Sequence, residues 1–262
     1  IHNKSYFQTV GLYKQLWDIE DQWIRINCGR TYSPIARLDS AEHVDQATSE
    51  IGSCIKSMVH QVQSVGLFRL IDVIGEVHDN VWSHGKSTGF SMAQIYKDPQ
   101  LHQSFIEFTL GDQGFGFLNE MRRAGKSVAS HREAIEWCIQ KGHSTKHADD
   151  EDPWLQRLPF DWVGDSPLGT FGGEVSENHH QGLGLFHLIE LVDKFNGELY
   201  LISGNSALHI KNKVKTYIDL SNNWQGVIIS CRFDKHELLS TDFVNPIDDE
   251  KISDIIKRLR GE

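Results

Sequence analysis

The run Glu76-Val-His-Asp-Asn80-Val-Trp-Ser-His84-Gly85 constrains this chain more than any other stretch. Leu70, Ile74, Val77 and Val81 recur at spacings of four, three and four, which predicts a helix with one core-facing stripe. Glu76, Asn80 and His84 are spaced i, i+4, i+8 and form a single polar row on that helix. At roughly 100° of rotation per residue, the row runs along the edge of the apolar stripe and not opposite it. A carboxylate, an amide and an imidazole are therefore expected at the rim of a core, where a ligand is partly desolvated. Alone, such a row is an ordinary helix edge. Two glycine motifs downstream give it a chemical context: Asp112-Gln-Gly114-Phe-Gly116 and Gly182-Leu-Gly184-Leu185.

A length of 262 residues allows one large domain, or one domain with an elaborated end. Hydrophobic content of 39% and charged content of 24% are those of an ordinary globular protein. No apolar run approaches the ~18–20 residues of a membrane span, and no basic-then-apolar signal segment is present. The net charge of −10 argues against nucleic acid as a partner, because such affinity comes mainly from cations meeting phosphates. Cys28, Cys54, Cys138 and Cys231 are far apart and never form CxxC, the pattern of reduced thiols in a cytoplasmic protein. His143 and His147 have helical i, i+4 spacing, but no nearby carboxylate or Cys completes a metal set. His179-His180 reads as a polar loop pair.

Along the chain, residues 1–64 read as a mainly helical extension, with Thr31 to Ser40 as a connector around Pro34. Its first helices are a possible dimerisation or partner-docking element. Residues 65–235 hold the motifs. After the Glu76 helix, strands are expected at Phe90–Tyr96 and Ser104–Leu110, the second running straight into the Asp112 motif. A helix is predicted over 130–141, stopped by Gly142. The span 118–181 reads as a lid, and its irregular part, 147–181, carries Trp154, Leu155, Leu158, Phe160, Trp162 and Phe171. These residues either anchor the loop or face a partner. Gly184 opens a helix that stops at Asn196-Gly197; strands follow at Glu198–Ile202, Ala207–Ile210, Lys215–Leu220 and Gly226–Phe233, the first two joined at Gly204-Asn205-Ser206. The tail 236–262 ends in an expected short helix, Asp249–Arg260.

Two familiar phosphate motifs fail. Gly85-Lys86-Ser87 and Gly125-Lys126-Ser127 imitate the end of a P-loop, but the required earlier glycine is Asn80 in one and Glu120 in the other. The dinucleotide pattern GxGxxG breaks at His187.

The order that remains is a helix with Glu…Asn…His, a strand ending in DxGxG, a long loop, and GLGL opening a helix. It resembles the ATP-binding domain of the GHKL superfamily: gyrase-type topoisomerases, ninety-kilodalton heat-shock chaperones, sensor histidine kinases and mismatch-repair ATPases. The resemblance spans roughly residues 65–235 and is nearest in motif to anti-sigma-factor serine kinases. It implies an α+β two-layer sandwich, the Bergerat fold, with a mixed, mostly antiparallel sheet covered by helices on one face. It also implies ATP or ADP and Mg²⁺ as cofactors. By the same resemblance Asn80 is the Mg²⁺ ligand, Glu76 the base, and Asp112 the acceptor for the adenine amino group. Gly114 and Gly116 lie against adenine and ribose. Gly182, Leu183, Gly184 and Leu185 form the phosphate-side turn, and His84 packs near the phosphates or the lid.

One departure is Val227 after Gly226, where the family often has Thr; a hydroxyl beside the adenine aspartate is lost. Another is the long, aromatic loop between the glycine motifs. No histidine here has the setting of a phosphorylated sensor-kinase residue, so an acceptor is expected on another protein. Two functions are expected: an ATPase or Ser/Thr kinase acting on a regulatory protein partner, or an ATP/ADP-gated interaction switch with little turnover. Glu76 favours the first.

Overall fold

The computed structural model describes residues 2–19, 24–60, 64–85, 87–143 and 184–240. Helix α1 (His2–Thr9) and helix α2 (Leu12–Trp17) precede strand β1 (Ala36–Leu38), helix α3 (Ala41–Met58) and helix α4 (Val65–Asn80). Both longer helices start on a serine in extended backbone. The Ser40 side chain accepts the His43 N–H and the Ser64 side chain accepts the Leu67 N–H, each satisfying one of the orphan donors of a first turn. Ser64 also donates to the Leu238 carbonyl at 3.1 Å, tying the start of α4 to a short helix at the far end of the described chain.

The expected stripe Leu70, Ile74, Val77 and Val81 is buried, and Leu67 and Val73 of α4 are buried beside it. Regular α-helix ends at Asn80, and Val81–Gly85 continues as a π-helical turn. His84, the third residue of the expected polar row, lies on this π-helical turn and not on the regular helix that carries Glu76 and Asn80. Such turns cluster at functional sites.

Strands β2 (Gly89–Lys97), β3 (Ser104–Asp112), β4 (Glu198–Lys211) and β5 (Val214–Asp234) complete a five-stranded antiparallel sheet in the order β1-β2-β3-β5-β4. Its register sets Ala93, Phe108 and Cys231 side by side, with Leu110 opposite Ile229 and Ile106 opposite Phe233. Those side chains meet α3, α4 and helix α7 (Gly184–Lys194) in one continuous core. Phe108 is fully buried there, and truncating such a side chain costs about 3–5 kcal/mol. The opposite face carries Gln94, Glu107 and Arg232, joined through hydrogen bonds from Gln94 to Glu107 and from Arg232 to Glu198.

Strand β4 is not straight. Glu198 meets His209 Nε2 at 2.8 Å and the rings of Tyr200 and His209 stack at 4.2 Å, although an extended run of eleven residues would reach roughly 36 Å. The strand doubles back where its register against β5 shifts, between Ser203 and Ser206, with Gly204 at φ +66°. The segment read as two strands and a turn is thus one assigned strand folded on itself. The hairpin to β5 turns on Asn212 and Lys213, both at positive φ, as a two-residue turn requires. Within β5 the extra residues around Trp224 bulge towards the end of β3.

The expected connector Thr31–Ser40 contains strand β1, which pairs with β2, so the first 64 residues contribute to the sheet and are not only helical. Alternating Arg37 and Leu38 bury only one face of three residues, too short a period to detect. Helix α5 (Gly116–Arg123), helix α6 (His131–Cys138) and helix α8 (Lys235–Leu239) fill the remaining described segments. Residues 118–143 of the expected lid are therefore mostly helical. The aromatic span 147–181 and the Asp249–Arg260 helix lie outside the described residues.

Candidate functional site

Strand β3 carries Asp112 to the end of the sheet, in the inward-facing half of its alternation, so the carboxylate is buried at 6% exposure. Its Oδ1 accepts the Gly114 N–H at 2.7 Å, and the Val227 N–H also donates to it. Burial raises the Asp112 carboxyl above its ordinary range, and the two backbone donors offset part of that rise. Trp224 Nε1 donates to the Asp112 carbonyl at 3.2 Å. Gly226, at φ +102°, passes so close that a Cβ there would sit 2.3 Å from that carbonyl. Only glycine fits.

Ser203 locks the adjoining turn. It accepts the Phe117 N–H at 3.0 Å at the start of α5 and donates to the Gly226 carbonyl at 3.1 Å. A side chain from a distant strand thus caps this helix, and no sequence signal within α5 reveals it.

Across the cleft, Glu76 and Asn80 stand one turn apart on α4, facing the first turn of α7. A Cβ on Gly184 would lie 3.0 Å from Glu76 Cβ, 3.2 Å from Glu76 Oε2 and 3.5 Å from Asn80 Nδ2. The glycine is what lets the two helices touch at that point. One turn on, His187 Nδ1 lies 3.2 Å from Glu76 Oε2 and 3.3 Å from Oε1. A carboxylate only accepts, so Nδ1 carries the proton in this contact. Sequence reading met His187 only as the residue that breaks GxGxxG. Its spacing of three from Gly184 was the available signal.

Asn80, Asp112, Gly116, Gly184 and Leu185 line one cleft with Val77, Leu110, Phe115, Trp137 and Val227, enclosing about 820 Å³ including its open mouth. Glu76 is not among its lining residues. Its carboxylate belongs to a second groove between α4 and α7, with Arg69, Asp72, His187, Glu190 and Lys194. Gly114 reaches the site through its hydrogen bond to Asp112. His84 sits on the π-helical turn, its side chain outside the described residues, as are Gly182 and Leu183. His143 belongs to the cleft wall, with Nδ1 3.0 Å from the Trp137 carbonyl and its ring 4.5 Å from that indole; His147, like His179 and His180, is outside the described residues.

No family model matches the chain, and neither the curated proteins nor the solved structures contain a significant match.

The cleft pairs a deep apolar body with few polar groups, the usual make-up of a small-molecule site. At one end Asp112 keeps acceptor capacity in a buried setting, suited to an amino-bearing heterocycle. At the other, Asn80 presents an amide oxygen suited to a hard cation that keeps most of its waters or binds a ligand's oxygens. Among the described residues no group of three His, Cys, Asp or Glu converges as a metal cage, so a cation there would be held chiefly by its ligand. Among the same residues no helix is long and apolar enough to cross a membrane.

Proposed function

We propose that the chain is a GHKL-type, Bergerat-fold domain that binds Mg²⁺-ATP and transfers or hydrolyses its γ-phosphoryl group, acting on a regulatory protein. One observation supports this most: residues from three separated motifs, Asn80, Asp112 with Gly116, and Gly184 with Leu185, line a single cleft. In this reading Asp112 accepts the adenine amino group, and the glycines Gly116 and Gly226 let the backbone pack tightly around that carboxylate. Asn80 and the first turn of α7 face the phosphates, where free N–H groups favour negative charge. Mg²⁺ supplies charge neutralisation on the phosphates. Glu76 takes a proton from the attacking water or hydroxyl. A cytoplasmic location accords with this reading.

A second reading, a nucleotide-gated switch with little turnover, draws support from the position of Glu76, which is engaged by His187 and does not line the cleft. Calorimetry with ATP, with and without Mg²⁺, tests the common core of both. Wild type should bind ATP more tightly with Mg²⁺, and Asn80→Ala should lose that increment while keeping most ADP affinity. Identical Mg²⁺ titrations in the two proteins would remove Asn80 as the ligand, and absence of ATP binding would end the proposal.

A further inference from the structure

Resting on the catalytic form of that reading, we propose that His187 is a positioning residue: it holds the Glu76 carboxylate where the nucleotide cleft meets the α4–α7 groove, so that the nucleophile enters from the groove. The observations are contacts between α4 and α7. Glu76 is clamped twice by α7, at its Cβ by Gly184 and at its carboxylate by His187 Nδ1. Its side chain is 29% exposed and that of His187 37%, so both are reached by water from the groove side. Asn80, one turn away, faces the cleft. A γ-phosphate beside Asn80 therefore has Glu76 at its flank and open groove beyond.

The step balances without any further reagent. The O–H bond of the water or hydroxyl breaks and its proton goes to a Glu76 oxygen. A new P–O bond forms to the γ-phosphorus. The bond to the β–γ bridging oxygen breaks, and ADP leaves with that electron pair. His187 keeps its Nδ1 proton throughout; its hydrogen bond fixes which Glu76 oxygen is free to act. The charged groups that face this pair are Arg69 and Asp72 from α4, and Glu190, Asp193 and Lys194 from α7.

Single-turnover assays with γ-labelled ATP on the whole chain test the assignment, using His187→Ala, His187→Asn and Glu76→Gln. His187→Ala should lower kcat by about 10²-fold, the scale of a misplaced catalytic group, with KM and the melting curve unchanged. His187→Asn, whose Nδ2 can replace Nδ1 as donor, should recover most of the loss. In the Glu76→Gln background, His187→Ala should cost nothing more. Unchanged kcat in His187→Ala, or no recovery in His187→Asn, overturns the His187 assignment and leaves the proposed function standing. No turnover in wild type overturns both.

Discussion

The Asp112 end of the cleft and the adjoining α4–α7 groove that holds Glu76 are built differently. At the Asp112 end the ligand-facing groups are fixed by backbone: a buried carboxylate accepts N–H bonds from Gly114 and Val227, and its carbonyl takes the Trp224 indole. At the Glu76 end the groups are partly exposed side chains on two helices, held by one glycine contact and one histidine. In the proposed function, the end made of buried backbone recognises the base and resists small changes. The side chains on the helix surfaces carry the chemistry, and single substitutions reach them without unfolding their frame. The contrast yields separable outcomes.

The largest effect is expected at the side-chain end. Glu76→Ala should leave ATP affinity nearly unchanged and lower turnover by about 10²–10⁴-fold, the range of a lost general base. Single-turnover phosphate release, read beside calorimetry, measures both quantities. Turnover that survives the substitution would move the base to another side chain.

Acid should next act on α4 itself, the helix that carries this end. His78 is a fully buried residue of this helix; its Nδ1 meets Thr48 Oγ1 at 2.8 Å, and its Nε2 has no hydrogen-bond partner among the described residues. Burial pushes its pKa down to about 4. The unfolded chain takes the proton near 6.5 while the folded chain refuses it until about 4. The contribution of neutral His78 is therefore complete above pH 6.5 and is lost as pH falls towards 4, on the order of 3 kcal/mol. Denaturant melts from pH 7 to 4 should show that slope in wild type and a shallower one in His78→Gln. Parallel slopes would place the acid sensitivity elsewhere.

At the backbone end, Asp112→Asn should weaken ATP binding by about 1–3 kcal/mol, the cost of unpairing a buried charge-assisted hydrogen bond. Turnover per bound nucleotide should change little, the mirror image of Glu76→Ala. Equal affinity in calorimetry would show that this carboxylate does not read the base.

Smallest is Val227→Thr, which places a hydroxyl in the cleft wall beside Asp112 at nearly constant volume. A gain in ATP affinity of about 0.5–1.5 kcal/mol is expected from one added hydrogen bond. No gain would mean that the Val227 N–H already satisfies that corner.

Much of the frame was legible in the chain. The periodicity of Leu70, Ile74, Val77 and Val81 set α4, and the alternation of Phe105 to Leu110 set β3, because both patterns record which side of a local element faces the core. Strand β1 was missed since three residues are too few to show a period, whereas the turn of β4 back on itself at Gly204–Ser206 was legible from its Gly-Asn-Ser run. The π-helical turn at Val81–Gly85, which carries His84, was not legible, because i, i+4 counting assumes a regular α-helix throughout.

By itself the sequence determined what local rules govern: where helices and strands run, that Glu76 and Asn80 share a helix edge, and that a glycine opens α7. Tertiary structure alone decided what those groups meet. The approach of Gly184 to Glu76, the pairing with His187 111 residues away, and the Val227 N–H on Asp112 are contacts between distant elements. Their geometry depends on how α4, α7 and the sheet pack together, and packing is set by the whole core at once and by no window of the chain.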